Sequence, residues 1–154
     1  MEMEYLKVFI LSAMPVVEIR GGFPLGIVLG LSRWEALLVS ILGNIVIIIP
    51  LLILLARLEQ LILKIKVINN FYLRMVKKAR SKAQSFSKYG KYALLLFVAI
   101  PMPTTGAWTA CVAAHLFGIP MKDAFSIISL GVVICGFLLL TAKLLAVSGY
   151  TFFW

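Results

Sequence analysis

Two long runs without charge dominate the pattern of apolar and polar positions along the chain. Residues 34–56 carry a single charge, Glu35, at their start, and residues 124–142 carry none. A helix needs about 20 consecutive apolar residues to cross the hydrocarbon core of a bilayer. Both runs reach that length, so the pattern predicts two membrane-spanning helices. Only 14% of the residues are charged, against roughly 25% in soluble domains, which excludes an ordinary soluble fold.

Two other apolar stretches are interrupted by proline and glycine. The breaks cover residues 15–24 and residues 101–106. Proline removes a backbone donor and glycine permits a sharp reversal. The arms before the breaks, residues 5–14 and 92–100, are about 15 Å long at 1.5 Å per residue, roughly half the hydrocarbon thickness. We therefore expect each stretch to form a re-entrant helical hairpin that turns near the midplane.

The alternative is that each interrupted stretch is one kinked helix that crosses completely, giving four kinked transmembrane helices. That arrangement would place Glu18 and Arg20 in the middle of the membrane, at a cost of about 2.5–3.5 kcal/mol each on insertion scales. A hairpin tip that is buried in protein or faces a wet cavity avoids much of this cost. The sequence therefore favours hairpins in an all-α integral membrane protein.

The second half of the chain resembles the first at an offset of 88 residues. Met14-Pro15 aligns with Met102-Pro103, and both halves carry a small residue at every fourth position, a spacing that lets membrane helices approach closely. A hairpin makes no crossing and the following helix makes one, so the two halves should have opposite orientations. This predicts an inverted repeat, common in secondary transporters. The aligned small residues are Gly22 with Ala110, Gly26 with Ala114, and Gly30 with Gly118.

Positive charge is concentrated between the two halves. Of the fifteen Lys and Arg residues, ten fall between Arg57 and Lys91, with Glu59 as the one acid there. The positive-inside rule predicts that this connection is cytoplasmic, and its periodicity predicts an amphipathic helix on anionic headgroups. Nucleic acid is not expected as a partner of so apolar a chain. The predicted organisation is a single membrane domain, 1–154, with repeats 1–56 and 92–154 joined by the basic connection 57–91.

The first break holds the only charges near either tip, Glu18 and Arg20. Broken half-helices present free N–H groups with partial positive charge, and together with Arg20 they would bind a phosphate or carboxylate. Glu18 is placed either to pair with Arg20 and pin the hairpin or to carry a proton that couples transport. The other predicted site residues are Gly21 and Gly22 in the first tip, and Pro101, Pro103, Thr104, Thr105, Gly106, Trp108 and Thr109 in the second.

Four further residues have alternative interpretations. Asn44 either joins helices or contacts a substrate or ion, and His115, the single histidine, is a polar contact or a proton relay. Cys111 and Cys135 lack metal-binding spacing and are expected to be small buried side chains. We expect no metal and no cofactor. An enzyme is not expected. A hydrolase needs a nucleophile with an organising base, and one histidine without an acidic cluster offers little of that kind.

The motifs in these segments resemble one known family. They are EIRGGFPLG at 18–26, Gly43-Asn44, Tyr89-Gly90, FVAIPMP at 97–103 and TGAWT at 105–109. The chain is similar to the small multidrug export proteins of bacteria and archaea, distant relatives of the DedA/VTT-domain superfamily. Thr104 and Ala110 stand where that family commonly has glycine. The resemblance implies two facing re-entrant hairpins, with Glu18, Arg20 and the loop 101–109 as site residues.

The function expected from the sequence is a multi-pass plasma-membrane translocase for an anionic lipid headgroup, such as a polyprenyl phosphate or a phospholipid, coupled to H⁺ or Na⁺. Superfamily members are linked to such lipids. The alternative is efflux of small molecules, as the family's name implies. The expected partners are membrane lipids, the substrate and a second copy of the chain, because each half has few helices with which to shield a polar site.

Overall fold

The computed structural model describes residues 2–64, 73–74, 77, 90–102 and 105–152. Within these ranges the named elements are all α-helices, which confirms the predicted all-α class. The predicted basic connection lies mostly outside the described residues, as do Pro103 and Thr104. The helices are α1 (Glu2–Ala13), α2 (Glu18–Val28), α3 (Arg33–Val46), α4 (Ile48–Lys64), α5 (Gly90–Ala99), α6 (Ala107–Phe117) and α7 (Met121–Phe152).

Two segments are long and apolar enough to cross a membrane, Arg33–Leu61 and Met121–Ala146. The first contains α3 and α4, which are separated only at Ile47. Pro50 explains this break, because it has no N–H to donate to the carbonyl four residues earlier. The two predicted long apolar helices are confirmed. Large apolar side chains are exposed along one face of α3, as expected of a surface that meets lipid: Leu38, Leu42 and Val46.

The chain reverses direction between α1 and α2, at residues 14–17. A Cβ on Gly22 would lie 1.7 Å from Ser12 Oγ, and one on Gly26 would lie 3.4 Å from Val8 Cγ2. Later residues of α2 therefore lie beside earlier residues of α1, so the two helices form an antiparallel hairpin. They are not one kinked helix.

The predicted extent of the first break was wrong. Residues 15–24 were expected to be irregular, but α2 begins at Glu18, and Gly21, Gly22 and Pro24 are helical. In apolar surroundings a helix satisfies most backbone groups, so isolated glycines and one proline are tolerated. The glycines serve packing, because Gly26 has space for no side chain beside Ala36.

The short turn of this hairpin contains backbone strain. Val16 has a φ of 74° although it is β-branched, and its side chain is 84% exposed. The left-handed region costs a non-glycine residue of order 1–3 kcal/mol. Val16→Gly is therefore expected to raise the free energy of unfolding by about 1 kcal/mol, measured by chemical unfolding in detergent. Val28→Gly is the matched control, since Val28 is 81% exposed but helical. Val28→Gly should lower the free energy of unfolding by less than about 1 kcal/mol. Equal effects of the two substitutions on stability would contradict backbone strain at Val16.

The 88-residue offset reappears in the three-dimensional contacts. Leu31 N–H donates to Gly26 O at 3.0 Å, and Ile119 N–H donates to Ala114 O at 2.9 Å. The intervening glycines at 30 and 118 both have positive φ. At the start of the long helices, Tyr5 OH bonds Glu35 at 2.7 Å and Lys91 Nζ bonds Asp123 at 2.6 Å. Thus each half has the same order of two short helices, a left-handed glycine and a long apolar segment.

The short helices pack on the long helices of their own halves. The two halves are joined by contacts of α3 and α2 with α7 and by contacts of α4 with α6. The buried core lies where these helices meet, and includes Ile19, Phe23, Leu37, Cys111 and Val132. As a result, Ile100, Thr105 and Gly106 lie against the beginning of α2. The predicted opposite orientation of the halves in a membrane stays a prediction.

Candidate functional site

The carboxylate of Glu18 lies at the amino end of α6. Trp108 N–H donates to Glu18 Oε1 at 3.1 Å, and the Glu18 residue is only 4% exposed. A Cβ on Gly106 would lie 1.8 Å from Glu18 Oε2, so the absence of a side chain at 106 makes room for the carboxylate. The first turn of a helix has free N–H groups and a partial positive charge. Glu18 therefore supplies the negative charge that this helix end favours.

The guanidinium of Arg20 reaches the end of α5. Its Nη2 donates to Ile100 O at 3.2 Å and to Thr105 Oγ1 at 3.1 Å. Its Nη1 is 3.6 Å from Glu18 Oε2, a longer contact than the hydrogen bonds. The carboxyl end of a helix carries partial negative charge. The two half-helices flanking the second break thus each receive, from α2, the charge of favourable sign.

Residues two apart do not face each other within a helix, yet Glu18 and Arg20 are paired. Glu18 is the first residue of α2 and has a φ of 48°. This left-handed backbone lies outside the helical region, so the side chain need not follow the direction set by the helix. The predicted ion pair therefore forms without unwinding α2.

The site is built by contacts that each half makes with the other. At the offset of 88, Arg20 corresponds to Trp108 and Glu18 to Gly106. Arg20 bonds the carbonyl of Ile100, just after α5, and Trp108 Nε1 donates to the carbonyl of Ala13, the last residue of α1, at 3.1 Å. Each half thus donates a side-chain hydrogen bond to a carbonyl at the end of the other half's first helix. Glu18 lies against Gly106, the position that corresponds to it.

A narrow cavity adjoins the carboxylate and is too small for a lipid headgroup. Asn44 of α3 lines it, is 1% exposed, and has no hydrogen-bond partner for either amide atom within the described residues. Cys135 lines the same cavity and is a buried free thiol. Buried polar atoms are normally paired, so this amide is a candidate for contact with a bound molecule or ion.

The charged and the unpartnered polar side chains of the site belong to the first half, while Thr105 of the second half accepts from Arg20. The hydroxyls of Ser12 and Ser40 are also buried without partners in the part of the chain that the structure describes. Neither serine was among the predicted site residues, because no motif in the sequence singles it out. At the offset of 88 the five polar positions correspond to apolar residues or glycine: Ser12 to Ile100, Glu18 to Gly106, Arg20 to Trp108, Ser40 to Ile128 and Asn44 to Val132.

Two of the predicted threonines form hydrogen bonds at or just before the start of α6. Thr105 Oγ1 is 3.0 Å from Ile100 O and so joins the Arg20 network. Thr109 Oγ1 accepts the N–H of Gly106 at 3.0 Å, within its own helix start.

Three other predicted residues lie outside the contacts around Glu18. Gly21 lies against Val17 within the hairpin, and Pro101 is exposed. His115 lies two turns after Trp108 along α6. Its Nε2 is 3.1 Å from Glu59 Oε2. His115 therefore pairs with the acid of the predicted connection.

One protein-family model matches the chain. It is described as "Putative small multi-drug export protein" and covers residues 18–138, which include α2 to α6 and most of α7. The match begins at Glu18, so it contains all the charged residues of the site. No curated protein and no solved structure matches the chain.

Proposed function

Since the chain belongs to the small multi-drug export protein family, we propose that it is a membrane exporter of small amphipathic molecules that carry an anionic group. The anionic group binds at the amino end of α6, beside Arg20. The observation that carries this proposal is the position of Glu18, whose carboxylate occupies that helix end and accepts the Trp108 N–H. The place is chemically suited to a carboxylate or phosphate, because helix amino ends are anion sites.

Glu18 acts in this proposal as an internal anion that the substrate replaces. The cavity is too small for a second anionic group while Glu18 is in place. Protonation would remove the charge that holds Glu18 at the helix end, and the freed N–H group and Arg20 would then bind the substrate. The titratable groups near Glu18 are Arg20 and the thiols of Cys111 and Cys135. Binding therefore strengthens as the pH falls, which couples export to a proton.

The hairpins give this site access from both sides of the membrane. The helices α1, α2, α5 and α6 have between 10 and 12 residues, about 15–18 Å at 1.5 Å per residue, and so reach only about halfway through the hydrocarbon. We propose that both hairpins are re-entrant and that the halves form an inverted repeat. The reciprocal contacts of Arg20 and Trp108 support this, since a two-fold axis in the membrane plane would relate the tips.

An anionic lipid headgroup is the second candidate substrate. The guanidinium of Arg20 and the free helix end recognise a phosphate on a lipid by the same chemistry as a phosphate on a small molecule. The family match favours the small molecule. Transport of a soluble amphipathic anion, compared with flipping of a labelled polyprenyl phosphate in the same vesicles, separates these substrates.

Glu18→Gln tests the proposal by the sign of its effect. If Glu18 competes with the substrate, removing its charge should strengthen binding of an amphipathic anion about tenfold at pH 7.5 and abolish the pH dependence, since a hydrogen bond to a charged group contributes about 1.5–3 kcal/mol. The measurement is equilibrium binding of a fluorescent fatty-acid anion to the purified full chain between pH 5.5 and 8.5.

Export of cations predicts the opposite result for the same variant. A cation would need the negative charge of Glu18, so Glu18→Gln would abolish binding of an amphipathic cation and leave the anion unaffected. Glu35→Gln is the matched control, because Glu35 is an exposed acid whose oxygens bond Tyr5 and Ser32 far from the site. It should change neither anion binding nor its pH dependence.

A further inference from the structure

Three buried polar side chains form a cluster that anion recognition does not use. They are Ser12 of α1 and Ser40 and Asn44 of α3, and each is at most 1% exposed. Neither serine hydroxyl has a hydrogen-bond partner within the described residues, and the same is true of both amide atoms of Asn44. Leaving a buried polar atom unpaired is costly, so three such neighbours need an explanation.

Two of the three side chains, Ser12 and Ser40, meet at Gly22. A Cβ at this position would lie 1.7 Å from Ser12 Oγ and 3.1 Å from Ser40 Oγ. Asn44 lies one helical turn after Ser40 on the same face of α3 and lines the cavity that Glu18 also lines. The cluster therefore runs from Gly22 to the carboxylate, and it is closed on one side by the last turn of α1.

The electrostatics of this place favour a cation. Ser12 is in the last turn of α1, which ends at Ala13. The carbonyl of Ala13 accepts the Trp108 indole N–H, and the carboxyl end of α1 as a whole carries partial negative charge. Hydroxyl, amide and carbonyl oxygens are ligands that hard cations prefer. Discontinuous helices in transporters use their carboxyl ends in this way to bind Na⁺.

The ion should be small and monovalent. Glu18 is the one acid that lines the adjoining cavity, and its carboxylate already contacts Arg20 and the Trp108 N–H. A divalent ion would need more carboxylate ligands, and no group of three or more His, Cys, Asp or Glu side chains occurs among the described residues. The second half offers no equivalent site, because the aligned residues are Ile100, Ile128 and Val132.

We propose that Ser12, Ser40 and Asn44 bind Na⁺ at the end of α1. The role of this ion rests on the proposed function: a positive charge beside the Glu18–Arg20 pair favours arrival of an anion, so the two ligands bind with positive coupling. By linkage the coupling is reciprocal. The binding of Na⁺ itself requires no substrate and is tested alone.

The test is ion-dependent stability and equilibrium binding of ²²Na⁺, both on the purified full chain in detergent. At constant ionic strength, NaCl should raise the unfolding temperature above its value in KCl or choline chloride, with a saturable curve for one site. Ser40→Ala and Asn44→Val should each weaken Na⁺ binding, so that the half-saturating Na⁺ concentration rises at least tenfold. Ser126→Ala is the control, since the Ser126 hydroxyl already donates to Lys122 O at 3.0 Å, and it should leave that concentration unchanged.

Equal unfolding temperatures of the wild-type chain in NaCl, KCl and choline chloride would overturn the proposal, and would leave a bound water as the partner of these groups. This comparison holds even if a variant fails to fold. An unchanged half-saturating concentration in both variants would overturn it as well. Anion binding measured in choline chloride distinguishes the two proposals: if the anion binds there but ²²Na⁺ does not bind, the Na⁺ site is wrong and the exporter proposal stands.

Discussion

Arg20→Gln is expected to weaken binding of an amphipathic anion about 10- to 100-fold, because hydrogen bonds to charged groups contribute about 1.5–3 kcal/mol. Arg20 supplies the one guanidinium at the site, and its Nε has no partner within the described residues and remains available to a ligand. Arg20→Lys should recover only part of the affinity, since an ammonium cannot form the planar pair of bonds. The measurement is equilibrium binding of a fluorescent fatty-acid anion at low pH.

Two controls separate a binding role of Arg20 from a purely structural one. Arg33→Gln removes the same charge from an exposed position and should leave the affinity unchanged. Arg20→Gln alone also leaves Glu18 buried without its ion pair, at a cost of about 3–5 kcal/mol. The double variant Glu18→Gln/Arg20→Gln should recover most of that stability but not the anion affinity. If it recovers both, Arg20 only pins the hairpin and the proposed function fails.

Gly43→Ala is expected to lower the free energy of unfolding by about 1–3 kcal/mol, the range found when an extra carbon is forced into a packed interior. Its Cβ would lie 2.3 Å from the carbonyl oxygen of Phe9, which belongs to the backbone of α1 and cannot rotate away. The helices α1 and α3 would therefore have to separate. Chemical unfolding in detergent, followed by circular dichroism, measures this loss.

Gly90→Ala is the matched control for Gly43→Ala, because no atom of the described residues beyond its own helix and chain neighbours lies within 4 Å of the added Cβ. It should change stability by less than about 0.5 kcal/mol. Gly131 stands at the position equivalent to Gly43 and would place its Cβ 2.7 Å from Val98 Cβ. Gly131→Ala should therefore also destabilise the chain. Equal stability of the Gly43→Ala and Gly90→Ala variants would contradict the close packing of α1 on α3.

Much of the fold could be predicted from the sequence because lipid limits the options. Uncharged runs gave the two long helices, and proline with glycine gave the two interruptions. The extent of the first interruption could not be predicted, since Gly21, Gly22 and Pro24 resemble helix breakers by composition. Apolar surroundings favour helix, and the contacts of Gly22 with Ser12 and Ser40 show that this glycine packs against other helices and does not turn the chain.

The site could be predicted only in part. A helix amino end and Arg20 were expected to attract an anion, and that stays a prediction. Glu18 was expected either to pair with Arg20 or to carry a proton, and the structure contains the ion pair, with Arg20 Nη1 3.6 Å from Glu18 Oε2. That Glu18 itself occupies the helix end could not be inferred, because its bond to Trp108 spans 90 residues. Ser12 and Ser40 carried no signal of their own, since isolated serines are common in membrane helices.

Glu18 and Gly106 occupy corresponding positions of the two halves, and this sets a condition on their sequences. Two identical halves could not form the contact, because the position that provides the carboxylate is also the position that must lack a side chain to receive it. A pair of first halves would set acid against acid, and a pair of second halves would leave both helix ends without a charge. The contact therefore requires two different halves, and one polypeptide that contains both ensures that every molecule holds one of each.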